Sequence, residues 1–397
     1  MSIAFPFVDV DIDTSGLAPV ARRAPGVLAI VGVSTLGTAS ANVPLVVGSL
    51  VDAAAMFATV DASTGAVTAS SPLYEGLVAA MSQSPGPTRI YGVKAAAGAI
   101  PAALASLNAA DDVTFVALAG FIASAPPDDT VSATTTNPEI AALFEHVRIA
   151  ASGGDNRMAV FSIDPALTAD GSGVYADAAE AAIADFRSSR SIAIAARGAT
   201  SGGSDAQLSC AAAAAIAGQS PASSIVLKRL SGFRIPLESQ YSPSEVVAVA
   251  SRDIIPIIDP AFIVGPSLHF GDGRCFSDDP TLAYIDVVRL LDDLEFRLKA
   301  GLINMIGDAR ITKSGLVSVS VRAQGILGRL LGPGGIDAFE VRIPVLEILR
   351  TPRASWAPAQ VNMVGEARNN REVQMLVSIV LGPAIHRLKI QLAPTVT

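Results

Sequence analysis

Two cysteines, three histidines and one tryptophan in 397 residues leave little material for redox or metal chemistry. Cys210 and Cys275 stand far apart and outside any Cys-x-x-Cys pair, which argues against a zinc site and a disulfide framework. Free, buried thiols in a reducing cytoplasm suit them better than a bridge. His146, His269 and His386 occur singly, without metal-ligand spacing, and read as structural residues. No apolar run reaches the roughly 20 residues of a membrane span. The nearest candidate, Phe115–Ala123, reads as a buried strand. A basic start followed by an apolar block, the mark of a secretory leader, is also missing. The expectation is a chain made and kept in solution inside a cell. Charged residues make up 16% and aromatics 5%, and the basic ones are dispersed, so no nucleic-acid stripe forms.

Marked catalytic motifs are missing too. There is no Walker glycine loop and no Gly-x-Ser-x-Gly elbow. Gly32-Val-Ser-Thr-Leu-Gly37 follows a strand but lacks the first glycine pair of a dinucleotide turn. Ser224 and Lys228 are four apart rather than three, in a stretch whose β-branched residues suit a strand. No catalytic, cofactor-binding or metal-binding residue is assigned.

What is present is apolar and small. Hydrophobic residues reach 50%, much of it alanine, so the interior is expected to use small side chains and close backbone approaches. A chain of this length exceeds one ordinary core, and two or three domains are expected. Short apolar strands are expected at Val27–Val33, Ile90–Val93, Val113–Ile122, Met158–Ile163, Ile192–Ala196, Ile225–Leu230, Ile254–Ile258 and Phe262–Val264. Helices are expected at Val51–Phe57, Leu73–Ser84, Pro101–Leu107, Pro138–Ile149, Ala176–Arg187, Gln207–Ala217 and Ser244–Ala250. The fold class is therefore α/β (α+β), multi-domain, with mixed sheets and flanking helices. Further on, Val317–Val321 and Glu372–Val380 read as strands and Gln324–Leu331 as a short helix.

Residues 270–280, Phe-Gly-Asp-Gly-Arg-Cys-Phe-Ser-Asp-Asp-Pro, combine a glycine turn, a lone arginine and a strong helix start. Asp279 is placed to cap, Pro280 to occupy the first helical position, and Asp278 to favour the helix dipole. Tyr284, Val287, Val288, Leu291, Leu294 and Leu298 then recur at helical spacing. Asp293 with Arg297, and Glu295 with Lys299, sit four apart on the wetter side.

Both ends of the chain alternate with a period of two, as extended strand arms would. Val8, Val10 and Ile12 interleave with Asp9, Asp11 and Asp13. Leu388, Ile390 and Leu392 interleave with Arg387, Lys389 and Gln391, after Gly382-Pro383. The polar faces carry opposite charge, and paired strands of that kind gain about 0.2–1 kcal/mol per charge pair. Sequence leaves open whether the arms close their own sheet or a neighbour's. Residues 1–269 hold 13 basic and 23 acidic side chains, net −10, while residues 270–397 hold 15 and 13, net +2. A slightly basic C-terminal segment on an acidic body suggests a distinct partner.

Four segments in order carry a resemblance. Ala24-Pro-Gly-Val-Leu-Ala-Ile-Val-Gly-Val leads to Asn42-Val-Pro-Leu-Val-Val and a helix over Ser49–Phe57. Leu73–Ser84 is followed by Thr88-Arg-Ile-Tyr-Gly-Val. The turn Gly273-Arg274 runs into Ser277-Asp278-Asp279-Pro280, and the chain closes on Val380-Leu-Gly-Pro-Ala-Ile-His-Arg-Leu-Lys-Ile-Gln-Leu. Together these resemble the contractile tail sheath proteins of short-sheath myophages and R-type tailocins; the middle, about 125–240, matches loosely. The resemblance implies a non-enzymatic subunit without cofactor, polymerising helically around an inner tail tube protein and ending at baseplate and tail terminator proteins. It implies a place in a virion tail or tailocin assembled in the bacterial host cytoplasm, with no nucleic acid bound and no direct membrane insertion. By the same resemblance residues 1–20 form an N-terminal arm, 21–269 the outer α/β part, and 270–397 an inner, tube-facing domain whose C-terminal arm begins at about 383. The arms would extend a neighbour's sheet. Two other classes fit the composition: a soluble α/β enzyme with an unmarked site, and another self-assembling shell protein.

Overall fold

The computed structural model describes residues 26–124, 137–167, 175–197, 205–265, 267–332 and 334–386. The proposed arm residues Val8–Asp13 and Arg387–Leu392 lie outside them. Two compact units are present, divided between Asp292 and Asp293; residues 384–386 belong with the first unit, and Asp293–Pro383 form the second.

The first unit contains, in chain order, β1 (Val27–Val33), β2 (Pro44–Val46), α1 (Leu50–Phe57), β3 (Thr59–Val60), β4 (Val67–Ala69), α2 (Pro72–Met81) and β5 (Arg89–Ala95). Then come α3 (Ile100–Ser106), β6 (Phe115–Ala119), α4 (Pro138–Ser152), β7 (Met158–Ile163), α5 (Tyr175–Ile183), β8 (Ser191–Ala195) and α6 (Leu208–Ala217). It continues with β9 (Arg229–Leu230), α7 (Pro243–Ala250), β10 (Ile255–Ile258), β11 (Leu268–Phe270) and the start of α8 (Ile285–Leu302). Nine strands form one sheet in the order β2-β5-β1-β6-β7-β8-β10-β11-β9. Its six central strands, β5 through β10, are parallel, and the outer ones are antiparallel. β3 and β4 pair separately.

Strands buried on both faces read as continuous apolar runs, which is why VLAIV in β1 and MAVFSI in β7 announce themselves. Phe57, Leu73, Leu77 and the whole of α6 cover one face. Side chains of α3, α4, α5 and α7 cover the other. All ten residues of α6 are buried, so small side chains let it lie close to the sheet and to α2. A Cβ on Gly76 would come within 2.8 Å of Ala119 Cβ and 3.0 Å of Cys210 Sγ; only glycine fits that approach. Both thiols are free and buried, and burial pushes the Cys210 thiol up to about 12.

Arg157, at 0% exposure, ties three elements together. Its guanidinium donates to the carbonyls of Leu107 and Ala110 at 3.0 Å, pairs with Asp155, and reaches His146 Nε2 at 3.0 Å. Burial, helped by the Arg157 charge, lowers the His146 pKa from 6.5 to about 4. The native ring therefore stays neutral where the unfolded chain already binds a proton. Stability is expected to fall as pH drops from 6.5 toward 4. Urea midpoints across that range check this: His146→Gln should show a shallower loss than the parent, and equal slopes would contradict the assignment.

The second unit holds the end of α8, then α9 (Lys313–Gly328), β12 (Ile336–Arg342), α10 (Pro344–Leu349), α11 (Pro358–Asn370) and β13 (Leu376–Leu381). Its core is small: Leu316, Ile343, Val345, Leu346, Ile348, Val364 and Ala367, with partly buried residues such as Trp356 around them. Among the described residues no helix is long and apolar enough to cross a membrane.

Several sequence expectations need correction. Val317–Val321 is helix, inside α9. Thr312 caps that helix by accepting from Gly315 N, and Leu316, Ser320, Ala323 and Leu327 are buried at helical spacing. The expected helix over Gln324–Leu331 is the same element's last turns. Phe262–Val264 is the loop between β10 and β11, turned by Ile263 N donating to the Pro260 carbonyl. Of Ile225–Leu230 only Arg229–Leu230 pairs, because Leu227 adopts a φ of 57°.

Candidate functional site

The glycine–arginine turn leaves β11 and is stitched to its surroundings by backbone bonds. Gly271 N donates to the Pro256 carbonyl at 2.8 Å, and Phe276 N to that of Ser191 at 2.8 Å. Cys275 N donates to the Ala283 carbonyl at 2.8 Å, and Ile285 N to that of Gly273 at 3.0 Å. Residues 273–275 thus run antiparallel beside 283–285, with a bridge between Arg274 and Tyr284. That pairing corrects the helix start. Asp279 caps only a 3-10 turn over Pro280–Leu282, accepting from Thr281 N at 2.8 Å, and the long helix begins at Ile285. The Thr281 bonds hold the Asp279 carboxyl below the usual carboxylate range. Ser277 Oγ accepts from Asp279 N at 3.1 Å.

Arg274 anchors the turn. Its Nη1 donates to Asp253 Oδ1 at 3.0 Å, and its Nε lies 3.8 Å from Asp272. Asp253, at a φ of 60° just past α7, also faces Arg187 at 3.6 Å. Arg187 reaches Asp278 at 3.1 Å and Glu180 at 2.6 Å, and stands 4.3 Å over the Phe276 ring. Arg252 adds pairs with Glu180 and Asp177. Gly273, Arg274, Ser277, Asp278, Asp279 and Pro280 are therefore brought together as one brace between β11, α5, α7 and the entry to α8. Isolated exposed pairs contribute little, but linked, partly buried ones hold geometry. Arg187, Arg252 and Asp253 carry no local signal that would have linked them to Arg274.

The first turns of α8 are fixed just as firmly. Arg289 donates to the Gln219 carbonyl at 2.7 Å and lies over the Phe115 ring at 5.3 Å. Asp292 receives both guanidinium nitrogens of Arg190, at 2.8 and 2.9 Å. Beyond the unit boundary the expected pairs form, Asp293 with Arg297 at 2.8 Å and Glu295 with Lys299 at 2.6 Å. His386, in the first unit, lies edge-on to Tyr284 with ring centroids 5.1 Å apart.

The second unit offers a different feature. β12 and β13 pair antiparallel, Phe339 facing Ile379 and Val341 facing Val377. Among the described residues they form a sheet of two strands only, with one bridge from Leu331 to Ile336 at its end. Gly382 N, bonded to the Gly335 carbonyl, closes β13 before Pro383. Among the described residues no further strand pairs with either long edge. Two strands over a small core are marginal alone, and open edges accept added strands.

Folds of this kind bind nucleotides at a defined place. In doubly wound sheets that place is the crevice at the carboxyl ends of the strands where the winding reverses, here β1 and β6. Among the described residues the packing around β1 and β6 is close. A Cβ on Gly32 would meet Ala119 at 2.9 Å and Leu73 at 3.1 Å, and Ser34 Oγ donates to the Phe57 carbonyl. Gly120 N donates to the Ala206 carbonyl. Among the described residues no group of His, Cys, Asp and Glu is arranged to hold a metal ion.

No protein-family model matches this sequence, and no curated protein is similar to it in sequence. Solved structures are similar in fold. The helical sheath of the anti-feeding prophage in its contracted state superposes with a TM-score of 0.62 at 16% identity, over 99% of both chains. The contracted sheath complex of PVC, an extracellular contractile injection system, gives 0.63 at 16% identity, over 99% of this chain and 98% of that one. A sheath tail protein from Desulfitobacterium hafniense gives 0.57 at 9% identity, over 85% of this chain and 93% of that one. Over its described residues, this chain has the fold of contractile sheath proteins.

Proposed function

We propose that this chain is the structural subunit of a contractile sheath. Copies stack helically around an inner tube protein, end at baseplate and terminator proteins, and drive the tube through a target cell envelope when the lattice shortens. The observation that carries this reading is the similarity to contracted helical sheaths over essentially the whole of both chains. A polymer of this kind needs two packings of one subunit separated by a modest free energy, which many copies sum into a stroke without a nucleotide. Its location is then a phage, tailocin or injection particle tail, assembled in the bacterial cytoplasm.

Strand exchange joins the copies in this proposal. The arm at Val8, Asp9, Val10, Asp11, Ile12 and Asp13 of one neighbour, and Arg387, Leu388, Lys389, Ile390 and Leu392 of another, extend β12–β13 to four strands. Its two open edges match two alternating chain ends, and strand addition supplies backbone bonds together with a buried apolar face. Residues 270–397, mildly basic, would then face the tube, and 21–269 would space neighbouring subunits outside. Negative-stain electron microscopy of the purified full-length chain tests the assignment. Hollow cylinders of uniform width are expected; discrete particles or closed shells would contradict it.

A further inference from the structure

Residues 24–88 contain no lysine, arginine or histidine, but they do contain Asp52, Asp61 and Glu75. This stretch builds the β2 edge of the nine-stranded sheet and α1, which follows it and packs on α2. Apolar side chains are exposed there: Val46 on β2, and Leu50 and Val51 on α1, Val51 by 78%. Asp52 adjoins them, its carboxylate accepting from Ser49 Oγ at 2.8 Å. Asp61 follows α1 in the β3–β4 hairpin and is held as a carboxylate by bonds from Ser63 and Thr64. The cations nearest in the sheet are engaged elsewhere, Arg89 on Asp112 at 2.6 Å and Lys94 on the Leu36 carbonyl at 2.9 Å.

The opposite edge of the same sheet has the reverse character. Lys228, Arg229 and Arg234 are exposed around β9, with Glu238 the only acid between residues 227 and 240. Beside them a cleft of about 710 Å³ runs between residues 232–240 and the stems of the β10–β11 hairpin, at Asp259 and Ser267. Phe233, Ile235 and Leu268 line it, and Leu237 on its rim is 82% exposed. The hairpin loop carries Phe262 and Val264, both fully exposed. Clustered exposed apolar groups of this kind mark interaction surfaces.

We infer that these two edges dock on each other between copies, the β9 edge of one chain receiving the β2–α1 edge of the next. The occupant of the cleft is a second copy, because its charge and apolar complement lie on the same molecule. The edge strands span only three and two residues, too short for a useful ladder, so side chains carry the contact: Leu50 and Val51 against Leu237 and the cleft, Asp52 and Asp61 against Arg229 and Arg234. Eight strand spacings separate the two edges, roughly 38 Å at about 4.8 Å each, so they cannot meet within one molecule. Two different patches joined head to tail build a ring or an open array rather than a two-fold dimer. The inference rests on the sheath reading for its helical geometry and adds a lateral contact between globular parts, distinct from the arms.

A charge exchange in the full-length chain tests it. Arg229→Glu with Arg234→Glu makes both edges acidic; Asp52→Lys with Asp61→Lys makes both basic. Each double variant alone should need at least about tenfold more protein to polymerise, and an equal mixture should recover the parent's behaviour, since unlike edges meet again. Sedimentation velocity reads this, with far-ultraviolet circular dichroism confirming fold. Leu237→Asp, at a side chain the fold does not bury, should weaken assembly in the same direction. Variants that polymerise like the parent, or a mixture as dispersed as its components, would overturn the contact. A parent chain that never polymerises would overturn the sheath reading itself.

Discussion

Removing residues 1–14, or replacing Leu388, Ile390 and Leu392 with aspartate, is expected to leave a folded, soluble chain that does not polymerise. Among the described residues, those of the nine-stranded sheet and its two cores lie between Val27 and Val288, outside both changes. What is lost is the strand proposed to complete β12–β13 in a neighbour. Burying three side chains such as Leu388, Ile390 and Leu392 contributes about 1.5–3 kcal/mol each. Ladder hydrogen bonds add about 0.5–1.5 kcal/mol apiece. Association costs offset part of that sum. A remainder of only about 4 kcal/mol is still roughly a thousandfold in association. Sedimentation velocity should show monomer at concentrations where the parent forms polymers, with unchanged circular dichroism. Normal assembly of either variant would exclude exchange of the arms.

The largest effect on stability is expected at Arg157. Arg157→Met keeps much of the side chain's bulk but removes the charge and four polar contacts, to Leu107, Ala110, Asp155 and His146. Leaving the buried carbonyls of Leu107 and Ala110 without a donor typically costs about 1–3 kcal/mol each, while Asp155, 29% exposed, can return to water. The loss falls where the turn after α3, helix α4 and strand β7 meet, so the whole first unit should unfold at lower urea. A shift worth less than about 1 kcal/mol would mean that the guanidinium is bound no better than in water.

Arg157 also shows where a sequence stops being informative. Its partners at Leu107, Ala110 and His146 are distant in the chain, and nothing around Asn156-Arg157 distinguishes it from a surface cation. The parallel strands were legible for the opposite reason. β1 and β7 are buried on both faces, so their apolar runs are uninterrupted, and the structure reproduces Val27–Val33 and Met158–Ile163 residue for residue. Helix starts at Ser49, Ser71 and Ser242 follow from local capping, where each hydroxyl accepts from the first turn. The alternation Leu316-Val-Ser-Val-Ser-Val misled toward a strand, because a two-residue pattern of small residues also satisfies a half-buried helix once Thr312 caps it.

The motif at Gly273–Pro280 was visible as a string, and its brace was not. Asp253 and Arg187 reach Arg274 through the fold alone. The two sheet edges were equally hidden: the absence of cations from residues 24–88 is plain in the sequence, yet its complement around Arg229 and Arg234 becomes meaningful only when β2 and β9 prove to be opposite ends of one sheet.

Cryo-electron microscopy of the assembled polymer tests the central claim most directly, by tracing which molecule supplies the strands beside β12 and β13. Density continuous from one neighbour's Val8–Asp13 and another's Arg387–Leu392 is the expected result. Both ends lying on their own subunit, with β12 and β13 flanked by no other chain, would contradict it.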